Sequence, residues 1–491
     1  MSARVRIAQA PGDGIGPEIM DAVLDVFRAA GVLEHVEFLP VEMGKKVLDA
    51  GITRGLTDEA VRTVESCGIL FKGPMETPKS EGGKSVNVTV RKLWSAYANL
   101  RHFVSLPGVH TVFSRANIPL DFLVVRENIE DTYGGIEHRV TTDVVQCKRL
   151  ITAPGSEQVH RFAFETARRR GIRKIACAHK ANIMKMSDGL FLERFRAVAR
   201  DFPEIEASDV IIDALCMNLV LKPEKYEMIV LPNLQGDIVS DLAAGLVGGL
   251  GFAPSANIGN HIAIFEAVHG TAPDIAGQGL ANPTALLLSG LMMLRHVGLD
   301  REAALIDNAL LAALEEGCRT GDFGDRGAPA LGTRAFARAV SDRLGQNPRR
   351  VAPRPVPDAS TPHAPPGERP TSPRMMRLLP DASTEVVGAD LYLETTIPAA
   401  ELAREIEALL QGSPLRLTMI SNRGTQVWPT GSVFTECVDY YRIRLERRGQ
   451  GLTREATHTA LSAVDARFPV TVFELLRSFG GVPGFSRAQG Q

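Results

Sequence analysis

The chain has 491 residues, of which 44% are hydrophobic and 23% are charged. These are ordinary globular values, so they exclude collagen-like, wholly disordered and disulfide-scaffold proteins, and the length predicts more than one domain. The formal net charge of −2 gives no overall field that would draw the chain onto nucleic acid or an anionic membrane. We therefore expect a soluble protein with no nucleic-acid and no membrane partner.

The first residues have neither the apolar core of a secretory signal nor the length of a transit peptide. The longest apolar stretch, Ala285 to Leu294, is shorter than the ~20 residues that span a bilayer and predicts a buried helix. The six cysteines lack the paired spacing of a metal site. These features predict a cytoplasmic protein with reduced thiols.

The first 345 residues alternate between strand and helix patterns. A strand at Val5 to Ala10 is followed by the glycine loop Gly12-Asp-Gly-Ile-Gly-Pro-Glu18 and a helix from Ile19 to Ala29. Apolar runs typical of buried strands recur at Ile69–Lys72, Phe122–Val125, Lys174–Ala178, Val210–Ile212 and Met228–Leu231. This alternation predicts an α/β fold.

A proline-rich segment divides the chain, because nine of the 30 prolines fall within residues 347–373 among almost no large apolar side chains. Such a segment cannot form a core and should be a semi-extended linker. We predict a large N-terminal α/β domain at 1–345, a linker at 346–378 and a small C-terminal α/β domain at 379–491.

The C-terminal domain has the element order of a split βαβ sandwich, with strands and helices predicted at Val386–Leu393, Ala399–Leu410, Leu415–Ile420, Tyr440–Leu445 and Arg454–Arg467. It contains no catalytic cluster. We expect it to serve oligomerisation or stability, with regulation by a bound ligand as the alternative.

The glycine loop does not match the Rossmann fingerprint, because the third glycine of G-x-G-x-x-G would fall at Pro17. Proline is common in the first turn of a helix, and glycine permits a sharp turn. The loop alone therefore indicates a structural turn.

Three aspartates form a candidate metal site. Asp237 and Asp241 are four residues apart, so on a helix both carboxylates project from one face. Such a pair alone is more often a helix cap, but Asp213 adds a third carboxylate after an apolar run, at a strand end where sites of α/β proteins gather. Three carboxylates suit Mg²⁺ or Mn²⁺.

Arginine binds carboxylates bidentately, so Arg91, Arg101 and Arg126, near the polar residues Ser85 and Asn87, predict a pocket for a polycarboxylate. Each arginine alone is an ordinary surface residue, and the grouping carries the prediction.

Candidate residues for proton transfer and for nucleotide binding lie farther along the chain. Tyr133, in a glycine turn, and Lys180, at a strand end, are candidates for acid/base work beside a metal. His269 lies in a glycine- and proline-rich loop suited to a nucleotide.

Five segments resemble, in order, motifs of the isocitrate and isopropylmalate dehydrogenase family, the metal-dependent β-decarboxylating dehydrogenases. They are the glycine loop, Arg126-Glu-Asn through Tyr133-Gly-Gly, His179-Lys180-Ala-Asn182, Asn233-Leu-Gln-Gly-Asp237 through Asp241, and His269-Gly-Thr-Ala-Pro. The resemblance covers roughly residues 4 to 343. The linker and tail resemble the C-terminal extension of a long-chain branch of isocitrate dehydrogenases.

The resemblance implies a two-domain, non-Rossmann α/β fold and a homodimer or higher homo-oligomer with shared active sites. The implied tricarboxylate clamp is Ser85, Asn87, Arg91, Arg101 and Arg126. The implied acid/base pair is Tyr133 and Lys180, with Lys180 acting across the dimer interface, and the implied metal ligands are Asp237, Asp241 and, from the neighbouring copy, Asp213. The implied coenzyme contacts are Thr77, Asn182, Glu266, His269, Gly270, Thr271, Ala272, Asp274, Ile275 and Asn282.

The resemblance also implies a reaction, the oxidation and decarboxylation of isocitrate to 2-oxoglutarate and CO₂ in the tricarboxylic acid cycle. Ser85 and Asn87 match the isocitrate branch, whereas isopropylmalate enzymes place apolar residues there. Homoisocitrate, isopropylmalate and tartrate-like acids are the alternatives.

Coenzyme choice depends on Asp274 and Ile275, which stand where NADP-using bacterial members carry Lys-Tyr. A carboxylate repels a 2′-phosphate, so we expect NAD, with NADP as the alternative. A non-catalytic regulatory chain is a further alternative, but such chains lose clamp or catalytic residues that are all present here.

Overall fold

A computed structural model describes residues 4–76, 85–325, 327, 329–357 and 375–486. It divides into two compact units, the first comprising Met1–Tyr133 and Leu150–Met376 and the second Gly134–Arg149 and Arg377–Gln491. The range 1–345, predicted as one domain, therefore includes a short segment that packs with the C-terminal residues instead.

Strands of the first unit form one mixed sheet. In chain order they are β1 (Val5–Ala10), β2 (Val36–Pro40), β3 (Ile69–Lys72), β4 (Ala98–Val104), β5 (Asp121–Glu127), then, after β6 (Glu137–Arg139) and β7 (Val145–Cys147) of the second unit, β8 (Lys174–His179), β9 (Glu206–Ile211), β10 (Met228–Leu231), β11 (Pro254–Ile258) and β12 (Ala263–Ala267).

The ten strands described in this sheet have the order β2-β1-β3-β12-β11-β4-β5-β10-β8-β9. Pairs on both flanks are parallel, whereas β11 pairs antiparallel with β12 and β4, and β4 pairs antiparallel with β5. The predicted α/β class is confirmed.

Helices cover both faces of the sheet. They are α1 (Gly16–Ala29), α2 (Lys45–Asp49), α3 (Asp58–Cys67), α4 (Val86–Leu93), α5 (Val112–Arg115), α6 (Ala153–Arg170), α7 (Ser187–Ala199), α8 (Ile212–Leu221), α9 (Asn233–Leu246), α10 (Thr284–His296), α11 (Asp300–Glu315) and α12 (Thr333–Ser341). The predicted buried helix at 285–294 lies within α10.

Alternating strand residues separate four hydrophobic cores. On one face of the sheet, which we call the back face, Phe71 and Phe265 pack with α1 and α10–α12, and Val125 packs with α6 and α7. On the other, the front face, Leu70 packs with α3, and Val124 packs with α8 and α9. Each face therefore has a gap between two cores, above the middle strands.

Predicted strand positions agree with the structure except near residue 210. The predicted strand Val210–Ile212 is only the end of β9, and Ile212 begins α8. β9 is an edge strand whose first residues, Glu206 to Asp209, are exposed. Exposed residues carry no apolar strand signal, so the prediction found only the half-buried end of the strand.

The described first part of the predicted linker is bound to the first unit. The backbone N–H groups of Arg349, Arg350 and Val351 donate to the carboxylate of Glu315 at 2.6, 2.8 and 2.9 Å. Arg354 and Asn308 exchange a further pair of bonds. Residues 358–374 of the linker lie outside the described residues.

The second unit is an antiparallel sheet with two helices. Its elements are β13 (Thr384–Glu394), α13 (Ala399–Leu409), β14 (Leu415–Asn422), β15 (Thr425–Trp428), β16 (Tyr440–Arg447), α14 (Arg454–Asp465), β17 (Val470–Phe479) and β18 (Val482–Pro483), with the strand order β15-β14-β16-β13-β17-β18. The order β14-β16-β13-β17 confirms the predicted split βαβ arrangement, because each helix connects two parallel strands separated by a third.

The hairpin of β6 and β7 contacts this sheet. Thr141 donates to Asp439 at 2.9 Å, and Gln146 donates to the hydroxyl of Tyr440 at 2.6 Å. These side chains give no signal along the sequence that they meet residues about 300 positions away, so the prediction could not assign the hairpin to the tail.

None of the helices in the described ranges combines the length and the apolar composition of a membrane-spanning segment.

Candidate active site

The candidate site lies in the gap on the front face of the sheet. Neighbouring residues on each middle strand point to opposite faces, so Leu100 belongs to a core of the back face while Asn99 and Arg101 face the front. The same alternation places Asn257 and Glu266 on the front face. The polar residues of the middle strands therefore converge in one place.

Arg126, Tyr133 and Asp237 form the centre of the site. Arg126 is buried, ion-pairs with Asp237 and donates to Asn233 at 2.7 and 3.0 Å. The Tyr133 hydroxyl donates to Asp237 at 2.6 Å, and the Arg126 guanidinium lies 4.9 Å from the Tyr133 ring centre. Burial and the hydrogen bond to Asp237 raise the pKa of Tyr133, so the phenol is protonated at neutral pH.

Arg101 joins this centre from β4. It donates to Asn99 at 2.7 Å and to Ser240 at 2.5 Å, and its guanidinium lies 3.7 Å from both Asp237 and Asp241. Burial, with Arg126 and Arg91 nearby, lowers the pKa of Arg101. The site is thus a cationic pocket that an anion would stabilise.

Arg91 reaches the site from α4 and is held by Glu266, to which it donates at 2.8 Å. Glu266 also ion-pairs with Lys72 and accepts a bond of 2.8 Å from Asn257. Burial alone would raise the pKa of Glu266, but Lys72 and Arg91 outweigh it and hold that pKa well below its usual range. Glu266, predicted as a coenzyme contact, therefore has both oxygens engaged inside the chain.

Lys72 is a site residue that the sequence analysis missed. Its side chain is buried, and its ammonium donates to Asn87 at 2.8 Å and ion-pairs with Glu266. A lysine at the end of the buried apolar run Ile-Leu-Phe is unusual. Because lysines are almost never fully buried without a charged partner, its position indicates that such a partner lies nearby. That signal was available in the sequence.

Asn99, Asn128, Asn257 and Ser255 form a second missed feature, a buried amide network beneath the arginines. Asn99 donates to Ser255 at 2.7 Å and to Asn257 at 2.9 Å, and Asn128 donates to Asn257 at 3.1 Å. These bonds join residues that are far apart in the sequence, so the pairing register of the sheet was needed to find them.

Lys180 and Asp213 form a separate pair. The Lys180 ammonium donates to Asp213 at 2.5 Å, and both side chains are partly exposed. Lys180 is held in place by its own N–H, which donates to the buried Asp188 at 2.6 Å. Asn182, two residues on, is exposed. Of the predicted metal ligands, the chain thus brings together Asp237 and Asp241, and it places Asp213 beside the predicted base instead.

A divalent cation fits the front gap only in part. Asp237 and Asp241 supply hard oxygen donors one helical turn apart, and the Asp241 side chain is 62% exposed. Within the residues that the structure describes, no group of three metal-ligating side chains occurs. The pair on α9 would need a third carboxylate, as the resemblance implies, from another copy.

The loop after β12 carries most predicted coenzyme contacts. Burial lowers the pKa of His269, and its Nε2 has no hydrogen-bond partner in the described part of the chain, which leaves that atom for a ligand. The glycine loop approaches Thr271, because the N–H of Ile15 donates to its carbonyl at 2.9 Å and a Cβ on Gly14 would lie 2.1 Å from that oxygen.

The remaining predicted coenzyme and substrate contacts differ in their exposure and in their partners. Ala272 has a positive φ of 38°, Gly270 and Asp274 are exposed, and Ile275 is half-buried against the core of α1. Asn282 is buried and donates to Asp322 at 3.1 Å. Ser85 and Asn87 lie at the start of α4, and Thr77 lies outside the described residues.

Comparison with known proteins decides the family. Residues 6–340 match the model of the isocitrate/isopropylmalate dehydrogenase family, and residues 384–491 match the C-terminal domain of bacterial isocitrate dehydrogenase. The chain belongs to the isocitrate/isopropylmalate dehydrogenase family. Within it, the second domain places the chain with the long bacterial form, as the resemblance predicted.

Similar members of this dehydrogenase family include a Thermus thermophilus protein named isocitrate dehydrogenase (NADP), 45% identical over 99% of this chain and 96% of that protein. A mitochondrial protein of Dictyostelium discoideum, named as a regulatory subunit of isocitrate dehydrogenase (NAD), is 45% identical over 70% of this chain and 93% of its own length. A crystal structure of a Thermus thermophilus protein superposes with a TM-score of 0.89 at 43% identity, covering 99% of this chain and 96% of that one.

Proposed function

We propose that this family member oxidises and decarboxylates isocitrate to 2-oxoglutarate and CO₂, with a nicotinamide dinucleotide as electron acceptor and a divalent metal. The observation that carries the proposal is the convergence of Arg91, Arg101 and Arg126 beside Tyr133 and Asp237. Three guanidinium groups suit an acid with three carboxylates. The name of the Thermus relative supports the same substrate.

The polar start of α4 supports isocitrate over isopropylmalate. Asn87 accepts a bond of 2.8 Å from the buried Lys72, so the start of α4 carries a polar amide where an isopropyl group would need apolar contacts. A site built to hydrogen-bond a polar group discriminates strongly against an analogue that lacks it. Homoisocitrate is rejected less strongly, since one methylene is worth only ~1 to 3 kcal/mol.

Tyr133 is our proposed proton donor. Its hydroxyl lies 2.6 Å from Asp237, so it would lie next to a substrate bound beside the aspartates. When bound, the divalent cation would act as a Lewis acid on the substrate hydroxyl and ketone. Tyr133 would then return a proton to the carbon that loses CO₂, and Arg126 would orient the phenol through its contact with the ring.

Lys180 is our proposed base, acting with Asp213 in the site of another copy. In one chain the two groups neutralise each other, with the exposed Asp213 carboxylate accepting from Lys180 at 2.5 Å. In the shared site Asp213 would serve as a metal ligand, and Lys180 would supply the amine for proton transfer. Because one chain offers two aspartates in one place and the third elsewhere, we propose a homodimer or larger homo-oligomer with shared sites.

Coenzyme choice has two candidates. NADP is favoured by the name of the Thermus relative, isocitrate dehydrogenase (NADP). NAD, the coenzyme expected from the sequence, is favoured by one observation, the exposed carboxylate of Asp274 in the loop after His269, which would repel a 2′-phosphate. The proposal therefore takes NADP as the first coenzyme to test and NAD as the second.

The deciding experiment is an absorbance assay of reduced nicotinamide with isocitrate, isopropylmalate and homoisocitrate, each with NADP and with NAD in the presence of Mg²⁺ or Mn²⁺. We expect the highest kcat/KM with isocitrate. Higher activity with either other acid would contradict the substrate assignment. No activity with any acid, from a folded protein, would support the regulatory role named for the Dictyostelium relative.

A further inference from the structure

The back face of the first unit's sheet has a gap of its own, between the core of α1 and α10–α12 and the core of α6 and α7. This gap contains a cavity of about 680 Å³. That volume lies within the range of roughly 300–1,000 Å³ typical of small-molecule sites.

Strand alternation separates this cavity, which we call the back cavity, from the candidate active site. Its floor contains Leu100, Ala256 and Phe265. The next residue on each strand, Arg101, Asn257 and Glu266 respectively, faces the front gap. The two sites therefore share the same strands and lie on opposite faces of the sheet.

The back cavity is lined by an excess of cations. Four arginines line it against two aspartates. Asp307 accepts from Arg295 at 2.7 Å and lies 3.7 Å from Arg354. His102, also in the lining, is held by Asp121 at 2.6 Å. Asp307 and the neighbouring Asp121, which lies outside the lining, thus already have partners. The second lining aspartate, Asp300, is the first residue of α11, where its charge complements the helix dipole.

Arg169 and Arg170, at the end of α6, are the cations left over. Arg169 donates a hydrogen bond of 3.3 Å to the Thr166 hydroxyl. For Arg170, the described residues provide no hydrogen bond and no ion pair. Arg169 and Arg170 are exposed where α6 borders the opening of the cavity. Desolvation and the nearby charges of Arg295 and Arg169 outweigh the attraction of Asp121 and lower the pKa of Arg170, which agrees with three guanidinium groups standing close together. An anionic ligand would relieve that repulsion.

We propose that the back cavity binds a small organic anion, with a phosphate or paired carboxylates on Arg169 and Arg170 and a compact apolar body on the floor formed by Leu100, Ala256 and Phe265. Arginine forks match both anions bidentately. The apolar floor excludes a bare inorganic ion as the best ligand, because such an ion would leave the floor uncovered. This site is independent of the isocitrate chemistry.

Calorimetric titration of the full chain tests the proposal with four probes: phenyl phosphate, isophthalate, inorganic phosphate and phenol. We expect phenyl phosphate or isophthalate to bind more tightly than the ion or phenol alone, and the comparison of the two tells phosphate from carboxylate. The double variant Arg169→Gln/Arg170→Gln should lose about tenfold or more in affinity, with kcat and KM for isocitrate unchanged.

The matched control is Arg115→Gln/Arg200→Gln, which removes the same charge from exposed positions outside the cavity and should bind like the wild type. If the control loses as much affinity as the cavity variant, or if neither loses any, the proposed site is wrong. Absence of binding by both organic anions would also overturn it. Should the double variant unfold, Arg169→Gln alone provides the same comparison. Calorimetry needs no turnover, so a failure here is distinct from a failure of the proposed reaction.

Discussion

Two environments of carboxylates in the first unit have opposite properties. Glu266 is buried, and its oxygens are engaged by Lys72, Arg91 and Asn257. Asp241 and Asp213 have side chains that are 62% and 66% exposed, and one cation of the chain meets each of them. The first environment fixes cations in place, and the second keeps oxygens available for a ligand.

This difference separates a role in stability from a role in chemistry. Removing one partner from a buried ion pair leaves an uncompensated charge and is strongly destabilising, whereas exposed pairs contribute little. We therefore expect substitutions around Glu266 to unfold the protein more easily, and substitutions near Asp241 to abolish activity in a folded protein.

Among variants that leave every charge in place, the largest effect on chemistry is expected for Tyr133→Phe. This change removes the hydroxyl that donates to Asp237 and keeps the ring beside Arg126. Loss of a general acid lowers rates by roughly 100- to 10,000-fold, so kcat should fall by that amount while KM for isocitrate changes little. Steady-state kinetics measure both. An unchanged kcat would remove Tyr133 from the mechanism.

Glu266→Gln should show the largest effect on stability. Lys72 and Arg91 would lose their buried counter-charge, at a cost of about 3 to 5 kcal/mol. Thermal unfolding should show a clearly lowered midpoint. The matched control Asp241→Asn neutralises an exposed carboxylate and should change stability by less than about 1 kcal/mol while losing activity. Equal unfolding midpoints for the two variants would contradict the assignment of Glu266 to stability and of Asp241 to chemistry.

The buried position of Glu266 should also make stability depend on pH in the acid range. The pKa of Glu266 is held well below its usual value by Lys72 and Arg91, against the effect of burial. Between about pH 5 and 3 the unfolded chain therefore takes up a proton at this residue that the folded chain does not, so stability falls as the pH falls. Unfolding midpoints of Glu266→Gln measured over this range should decline less steeply than those of the wild type. Parallel declines would contradict the assigned pKa direction.

The smallest effect is expected for coenzyme preference. Changing Asp274 and Ile275 to Lys and Tyr replaces an exposed carboxylate with a cation. The ratio of kcat/KM for NADP over NAD should rise by about 10- to 100-fold, since a charge-assisted bond contributes ~1.5 to 3 kcal/mol. A ratio that does not rise would show that residue 274 does not meet the 2′ position.

Local patterns were sufficient to predict much of the fold. Buried strands such as β3 and β10 are continuous apolar runs, so their bounds agree with the structure. The exposed half of β9 and the grouping of residues 134–149 with the tail were missed, because both depend on contacts far away in the sequence.

The candidate site was predicted in part. Arg101, Arg126, Tyr133, Asp237 and Asp241 do meet in the structure, and their chemistry alone indicated a shared site. Lys72 gave a signal of its own, as a lysine at the end of a buried apolar run. Its partner Glu266 and the amide network beneath the arginines required the strand order, which brings β3, β12, β11 and β4 side by side. The residue pattern alone grouped Asp213 with the other two aspartates, and the resemblance assigned it to a neighbouring copy. The structure places it apart from them in one chain, beside Lys180.

Subunit mixing tests the central claim that Asp213 of one copy completes the site of another. Asp213→Asn and Asp241→Asn are each expected to be inactive. When the two are unfolded and refolded together, mixed dimers would contain one intact site, so about a quarter of the wild-type activity should return. If no activity returns although mixed dimers form, Asp213 and Asp241 do not act in a site shared between copies.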